Sequence, residues 1–176
     1  MYKLHLSDIN NYNSNNKILV LDFDLTITDI HTKGRIIQNK SYWYSKDNLN
    51  LLVNCLKKFK NLGWIIYIVS RGIKDDIKQY LTNLNIIELF DDILGSNSIK
   101  QVRENSFTWA KYKTQYLDNI ITINNGDKNN LYFIDDTQEN ITFAKSAGYY
   151  NSIQLTNIGV SSIMLLSILE KILIDE

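Results

Sequence analysis

The chain has 176 residues, with 19 Lys and Arg against 19 Asp and Glu, a single Cys and a 44% hydrophobic content. That length suits one domain, 1–176, with a sizeable core, and the composition excludes a disordered, collagen-like or coiled-coil chain. A formal charge of zero excludes a protein held to polyanions by its overall field, and a lone Cys55 gives no sign of an oxidising compartment, so a cytoplasmic setting is expected.

Residues 1–16 form a lead-in, rich in Asn and Ser from 10 to 16 and without the apolar stretch of a signal peptide. The apolar run 17–22 has the length of a strand buried on both faces and ends in a carboxylate. Residues 30–46 leave room for a short flap. A helix is predicted over 47–62, where Leu51, Leu52, Cys55, Leu56 and Phe59 recur at helical spacing and make Cys55 an inert core residue. A second strand follows over 64–70, then a helix over 73–83, a weaker strand over 91–94 and a helix over 106–119. The last strong strand, 131–135, stops at two carboxylates and precedes a helix over 137–147 and a weak strand over 152–155. The segment 163–174, interrupted by Ser167, Glu170 and Lys171, reads as a closing amphipathic helix rather than a membrane span. Strands alternating with helices predict an α/β fold, a Rossmann-like three-layer sandwich around a mainly parallel sheet of about five strands.

Ligands of such sheets bind outside the carboxyl ends of the strands, so the residues after each apolar run carry the chemistry. Those ends read Asp22-Phe-Asp24-Leu-Thr26, Ser70-Arg71-Gly72 and Asp135-Asp136-Thr137-Gln-Glu139-Asn140. Unit charges about 4 Å apart repel by about 4 kcal/mol at an effective dielectric near 20, so this much carboxylate in one place calls for a cation. Oxygen donors alone favour a hard divalent ion, Mg²⁺ above all.

In motif content and order the chain resembles the haloacid dehalogenase superfamily of phosphatases and phosphotransferases. Leu19 to Thr26 is similar to the pattern hhhhDxDx[T/V], Ser70 to the hydroxyl residue of the second motif, and Asp135 to Asn140 to the acidic motif DDxxxN of small magnesium-dependent phosphatases. The third motif, a Lys about 20 to 25 residues before the acidic pair, has Lys111 and Lys113 as candidates. At about 100° per residue, Trp109, Tyr112, Tyr116 and Ile120 share a stripe that contains Lys113, with Lys111 on the opposite side, and Lys113 is preferred. The resemblance covers about 17–155 and implies a phosphomonoester hydrolase. Asp22 is then the nucleophile and Asp24 the acid and base. Asp22, the Asp24 carbonyl and one of Asp135 and Asp136 hold Mg²⁺, while Thr26, Ser70, Arg71 and Lys113 bind phosphate. Arg71 also reads as a solvated or salt-bridging side chain. The second Asp of the first motif favours phosphoester over dehalogenation chemistry.

No gap is long enough for the large cap of many relatives, and an open site suits a nucleic-acid end, a nucleotide or a phosphoprotein. Residues 30–60 hold Lys33, Arg35, Lys40, Lys46, Lys57, Lys58 and Lys60 against Asp47, a local balance of +6, beside Tyr42-Trp43-Tyr44. These form either a substrate-binding rim or, respectively, a solvated face and the packing of the flap. Asp22, Asp24, Asp29, Asp135 and Asp136 gather at or beside the site, leaving 19 bases against 14 acids elsewhere, a balance of +5. His31 has no ligand-like spacing but lies near the first motif. Two other functions compete. A receiver-like signalling domain would carry its acidic pair at the first strand and its phosphoacceptor at the third, the reverse of the order here. A catalytically silent phosphate-binding module would keep the fold without turnover.

Overall fold

The computed structural model describes residues 16–156 and 161–174. Strands β1 (Ile18–Leu21), β2 (Ile65–Ile73), β3 (Asp92–Ser96), β4 (Leu131–Asp135) and β5 (Ser152–Gln154) form one parallel sheet in the order β3-β2-β1-β4-β5. The expected α/β architecture is the one observed. The lead-in, Asn16 apart, lies outside the described residues.

Successive side chains of a strand point to opposite faces, and β1 shows what that does when both faces are covered. Leu19 and Leu21 join a core with α1 (Lys46–Asn61), α2 (Lys74–Asn83) and α6 (Ser161–Ile174). Ile18 and Val20 join a second core with α4 (Ser106–Ile123) and α5 (Gln138–Ser146). All four β1 side chains are fully buried, which is why the strand reads as an unbroken apolar run. A one-turn helix, α3 (Ile99–Val102), precedes α4 and had no sequence signal long enough to announce it.

Helix α1 starts where the Ser45 hydroxyl accepts the Asn48 N–H, with Asp47 in its first turn and Lys58 and Lys60 in its last, as the helix dipole favours. Its buried stripe is Leu52, Cys55, Leu56 and Phe59, whereas Leu51, expected in that stripe, is 49% exposed. In α4 the buried residues are Trp109, Ala110, Lys113, Leu117 and Ile120, so the core-facing stripe lies slightly to one side of the expected one and leaves Tyr112 and Tyr116 half-buried.

Between β1 and α1, residues 28–45 contain no helix or strand. Asp29 fixes this segment. One carboxylate oxygen accepts the N–H and hydroxyl of Ser162 at 2.8 and 2.7 Å, and the other accepts the Tyr44 N–H at 3.0 Å and the Asn48 amide at 3.3 Å. Asp29 is therefore a structural anchor at the start of α6, not a member of the acidic site. Trp43 stacks on Tyr80 with ring centroids 5.9 Å apart and donates to the Ile27 carbonyl, and Tyr42 meets Tyr80 edge-on. Both rings are buried, so these aromatics pack the flap and offer no stacking surface for a base; Tyr44 alone of the three is exposed.

The basic segment likewise separates in space. Helix α1 leads back to the amino ends of the strands and carries Lys57, Lys58 and Lys60 away from the carboxyl edge, where Lys60 pairs with Asp91 at 2.7 Å. The Arg35 guanidinium lies 3.8 Å from Asp76, and Lys40 sits over the Tyr42 ring. The charges that form one block in sequence do not form one rim.

Candidate active site

From β1 the chain winds outward through β2 to β3, then crosses to β4 on the other side of β1 and on to β5. That reversal opens a crevice at the carboxyl ends of β1 and β4. Asp22 enters it directly after β1, its N–H bonded to the Ile134 carbonyl at 2.9 Å, and Asp135 enters at the end of β4.

Lys113, reaching over from α4, joins these two strand ends. Its ammonium donates to Asp22 Oδ1 at 2.7 Å and Asp135 Oδ2 at 2.6 Å, all three groups being buried. The other oxygen of Asp135 accepts the Thr137 N–H and the Asn140 amide, each at 2.8 Å. Asp136 Oδ1 accepts the Thr137 hydroxyl at 3.3 Å. One carboxylate oxygen from each of Asp22, Asp135 and Asp136 lies within 4.8 Å of the others.

The electrostatics of the cluster favour positive charge beside the carboxylates. Burial pushes the Asp22 carboxyl well above its usual range; Lys113 opposes this, and Asp135 and Asp136 add to it. Burial and then Asp135 raise Asp136 in the same way. Burial works to lower the Lys113 ammonium, but Asp135 and Asp22 outweigh it and hold the group above its ordinary value. With every group ionised, three carboxylates and one ammonium leave a charge of −2, which one divalent cation balances, and oxygen-only donors suit a hard ion such as Mg²⁺.

Asp24 stands apart from that cluster. The turn Phe23–Ile27, with Leu25 in the left-handed region at φ 57°, brings its carboxylate to Thr32 and His31. It accepts the Thr32 N–H at 3.1 Å and the Thr32 hydroxyl at 2.8 Å, and it pairs with His31 Nδ1. The bond to Asp24 is the main cause of a raised His31 value, against burial, which lowers it. Asp22, Asp24, Ser70, Lys113, Asp136 and Asn140 all line a cleft of about 130 Å³ at the carboxyl edge. A larger apolar groove of about 560 Å³ runs between the ends of α1 and α6, remote from these residues.

No family model matches the chain, and no curated protein sequence does. Solved structures match in fold. A magnesium, phosphate and KDO complex of 3-deoxy-D-manno-octulosonate 8-phosphate phosphatase from Moraxella catarrhalis superposes with a TM-score of 0.55 at 17% identity, over 98% of this chain and 94% of that one. A cobalt-bound deoxy-D-mannose-octulosonate 8-phosphate phosphatase from Haemophilus influenzae gives 0.54 at 10% identity over 90% and 89%. A haloacid dehalogenase-like hydrolase from Streptococcus pneumoniae gives 0.52 at 14% identity over 88% and 91%. The chain has the haloacid dehalogenase-like fold.

Within this fold the residues singled out from sequence divide into two groups. Asp22, Asp24, Ser70, Lys113, Asp135 and Asp136 come together. Ser70 lines the cleft while its Oγ accepts the Gly72 N–H at 3.0 Å. Lys111 does not join them; its ammonium sits 4.4 Å from the centre of the Phe107 ring. Thr26 is not brought into the cleft either. The left-handed turn at Leu25 sends it inward, where its hydroxyl is buried without a hydrogen-bond partner among the described residues. Arg71 borders the cleft, but its guanidinium donates to the Val102 carbonyl at 2.6 Å and to the Glu104 carbonyl.

Sequence reasoning assigned no role to His31 or Thr32, which brace Asp24. Their only signal was proximity to the first motif, and no spacing rule says that a loop will fold back on the second Asp. Asn140 stood in the quoted acidic motif, and its contact with Asp135 is the physical reason for an amide at that position.

Proposed function

We propose that the protein is a Mg²⁺-dependent phosphomonoester hydrolase that works through an aspartyl-phosphate on Asp22. The observation that supports this reading is the meeting of Asp22, Asp24, Ser70, Lys113 and the Asp135/Asp136 pair at the carboxyl ends of adjacent strands in a haloacid dehalogenase-like fold. The fold neighbours whose names describe phosphatases support it further.

An Asp22 oxygen attacks phosphorus in line and the bond from phosphorus to the leaving oxygen breaks, with the Asp24 carboxyl giving that oxygen its proton. Asp24, now a carboxylate, takes a proton from water; the water oxygen attacks phosphorus, the bond to Asp22 breaks, and phosphate departs. His31 and Thr32 hold the Asp24 carboxylate in one orientation through both proton transfers. Ser70 and Lys113 bind phosphoryl oxygens, with Arg71 at the border of the cleft. Asp22, the Asp24 carbonyl and the Asp135/Asp136 pair would hold the cation. When bound it would neutralise charge on the phosphoryl oxygens and orient them for attack.

The proposal includes a single domain without a large cap and a cytoplasmic setting. Its substrate is a phosphorylated molecule that an open site admits, in the classes of nucleic-acid ends, nucleotides and phosphoproteins. The buried Tyr42 and Trp43 remove base stacking by those rings from the case for the first two. The test is hydrolysis of an aryl phosphate with Mg²⁺, with chelator and with Asp22→Asn. Turnover that needs both the metal and Asp22 is expected. Equal activity in wild type and Asp22→Asn would remove the reading.

A further inference from the structure

Next to the cleft lies a second chamber, of about 260 Å³, that shares Asp24, His31 and Arg71 with it and adds Lys33, Gly34, Gly72 and Val102. We propose that this chamber binds a second anionic group on the leaving-group side of the substrate, a carboxylate or a second phosphate, between Lys33 and Arg71. The proposal rests on the reading of Asp24 as the acid that protonates the leaving oxygen. A leaving group that departs past Asp24 extends into the chamber on whose wall Asp24 stands.

The fold holds the Arg71 guanidinium in place and fixes the backbone from which the exposed Lys33 side chain extends. Arg71 donates to the carbonyls of Val102 and Glu104, which orient its guanidinium without cancelling its charge as a carboxylate would. Among the described residues neither Arg71 nor Lys33 pairs with a carboxylate. Asp24, the one acid lining the chamber among the described residues, already accepts from His31 and Thr32. Lys33 sits in a fixed turn: it and Gly34 are consecutive left-handed residues at φ 60° and 81°. The Gly34 N–H donates to the Thr32 hydroxyl at 3.3 Å, and the Gly34 carbonyl accepts the Ile73 N–H at 3.2 Å. A Cβ at position 34 would meet Val102 Cγ1 at 2.4 Å, so the turn is seated on α3 with no room for a side chain. Of the seven bases counted between residues 30 and 60, Lys33 is the one that lines this chamber. The substrate this favours is a compact phosphomonoester with an anion a few bonds from its ester oxygen.

The test is calorimetric binding, with Mg²⁺ and the full chain, of three non-hydrolysable phosphonates: butylphosphonate, phosphonopropionate with its terminal carboxylate, and a bisphosphonate of similar length. At least one of the doubly anionic ligands should bind about tenfold or more tightly than butylphosphonate, and Lys33→Gln should erase most of that advantage. Which of the two binds better identifies the anion. Equal affinity for all three, no binding of any, or an advantage untouched by Lys33→Gln overturns the proposal. The readout is binding, so it is independent of turnover: discrimination without hydrolysis would refute the phosphatase reading alone, and hydrolysis without discrimination would refute the subsite alone.

Discussion

Thr26, Lys113 and Asp29 each make a different demand on the chain. The buried Thr26 hydroxyl has no hydrogen-bond partner among the described residues, an arrangement that costs about 1–3 kcal/mol. Thr26→Val keeps the shape and removes the cost, so chemical denaturation should show a gain of about 1 kcal/mol. Phosphomonoester turnover should hold, since the hydroxyl does not reach the cleft; a large loss of kcat would return Thr26 to the phosphate site. Lys113 is the opposite case, a buried ammonium between two buried carboxylates. Lys113→Ala leaves both acids uncompensated and should cost about 3–5 kcal/mol in the metal-free protein, measured by the same unfolding curves. Asp24→Asn should lower kcat by about 10²–10⁴, the contribution of a positioned acid and base, and leave Mg²⁺ binding intact because the backbone carbonyl is unchanged. Asp29 shows where residue identity misleads. It follows the first motif closely in sequence, yet its partner Ser162 is 133 positions away, and no local pattern distinguishes an anchor of that kind from a metal ligand.

At the scale of elements, the site depends on how β2 and β3 meet beyond Ser70. Their register shifts between Val69 and Ile73, and Gly95 lies against the shifted backbone: a Cβ there would meet the Gly72 carbonyl at 2.8 Å and the Ser70 carbonyl at 3.1 Å. Gly95→Ala must part the strands where Ser70 is held, costing about 1–3 kcal/mol and lowering kcat/KM. Unchanged kinetics would mean that Ser70 tolerates the shift. The elements themselves were largely legible. Strands buried on both faces announce themselves as unbroken apolar runs, and helical periodicity set Lys113 rather than Lys111 on the buried side of α4. What stayed illegible was short or non-local. The single turn of α3 is too brief to show periodicity, and the capture of Arg71 by the carbonyls of Val102 and Glu104 joins elements about 30 residues apart. The basic run failed as a guide for a geometric reason, because a helix leading away from the carboxyl edge carries its last lysines to the other side of the molecule.

For the molecule as a whole, neutrality in sequence conceals a concentrated acidic centre and dispersed basic charge. The centre makes stability depend on pH. Asp22 and Asp136 have folded values above the ordinary 3.8, so the folded state holds their protons more tightly than the unfolded one. Stability from this source is full below that value and is lost as pH rises through the folded values. In chelator, Asp22→Asn should therefore melt higher relative to wild type at pH 8 than at pH 5; a difference that stays flat or reverses with pH would contradict the sign. Mg²⁺ should raise the melting temperature of the wild type, and raise it more at the higher pH. Among the described residues no helix is long and apolar enough to cross a membrane. The central claim is that Asp22 becomes phosphorylated during turnover. Rapid acid quench of the protein with a labelled aryl phosphate and Mg²⁺, followed by peptide mapping, tests it most directly. The account predicts a transient phosphoryl group on the peptide containing Asp22, absent with chelator and in Asp22→Asn. Hydrolysis that proceeds with no label on that peptide at any time would contradict it.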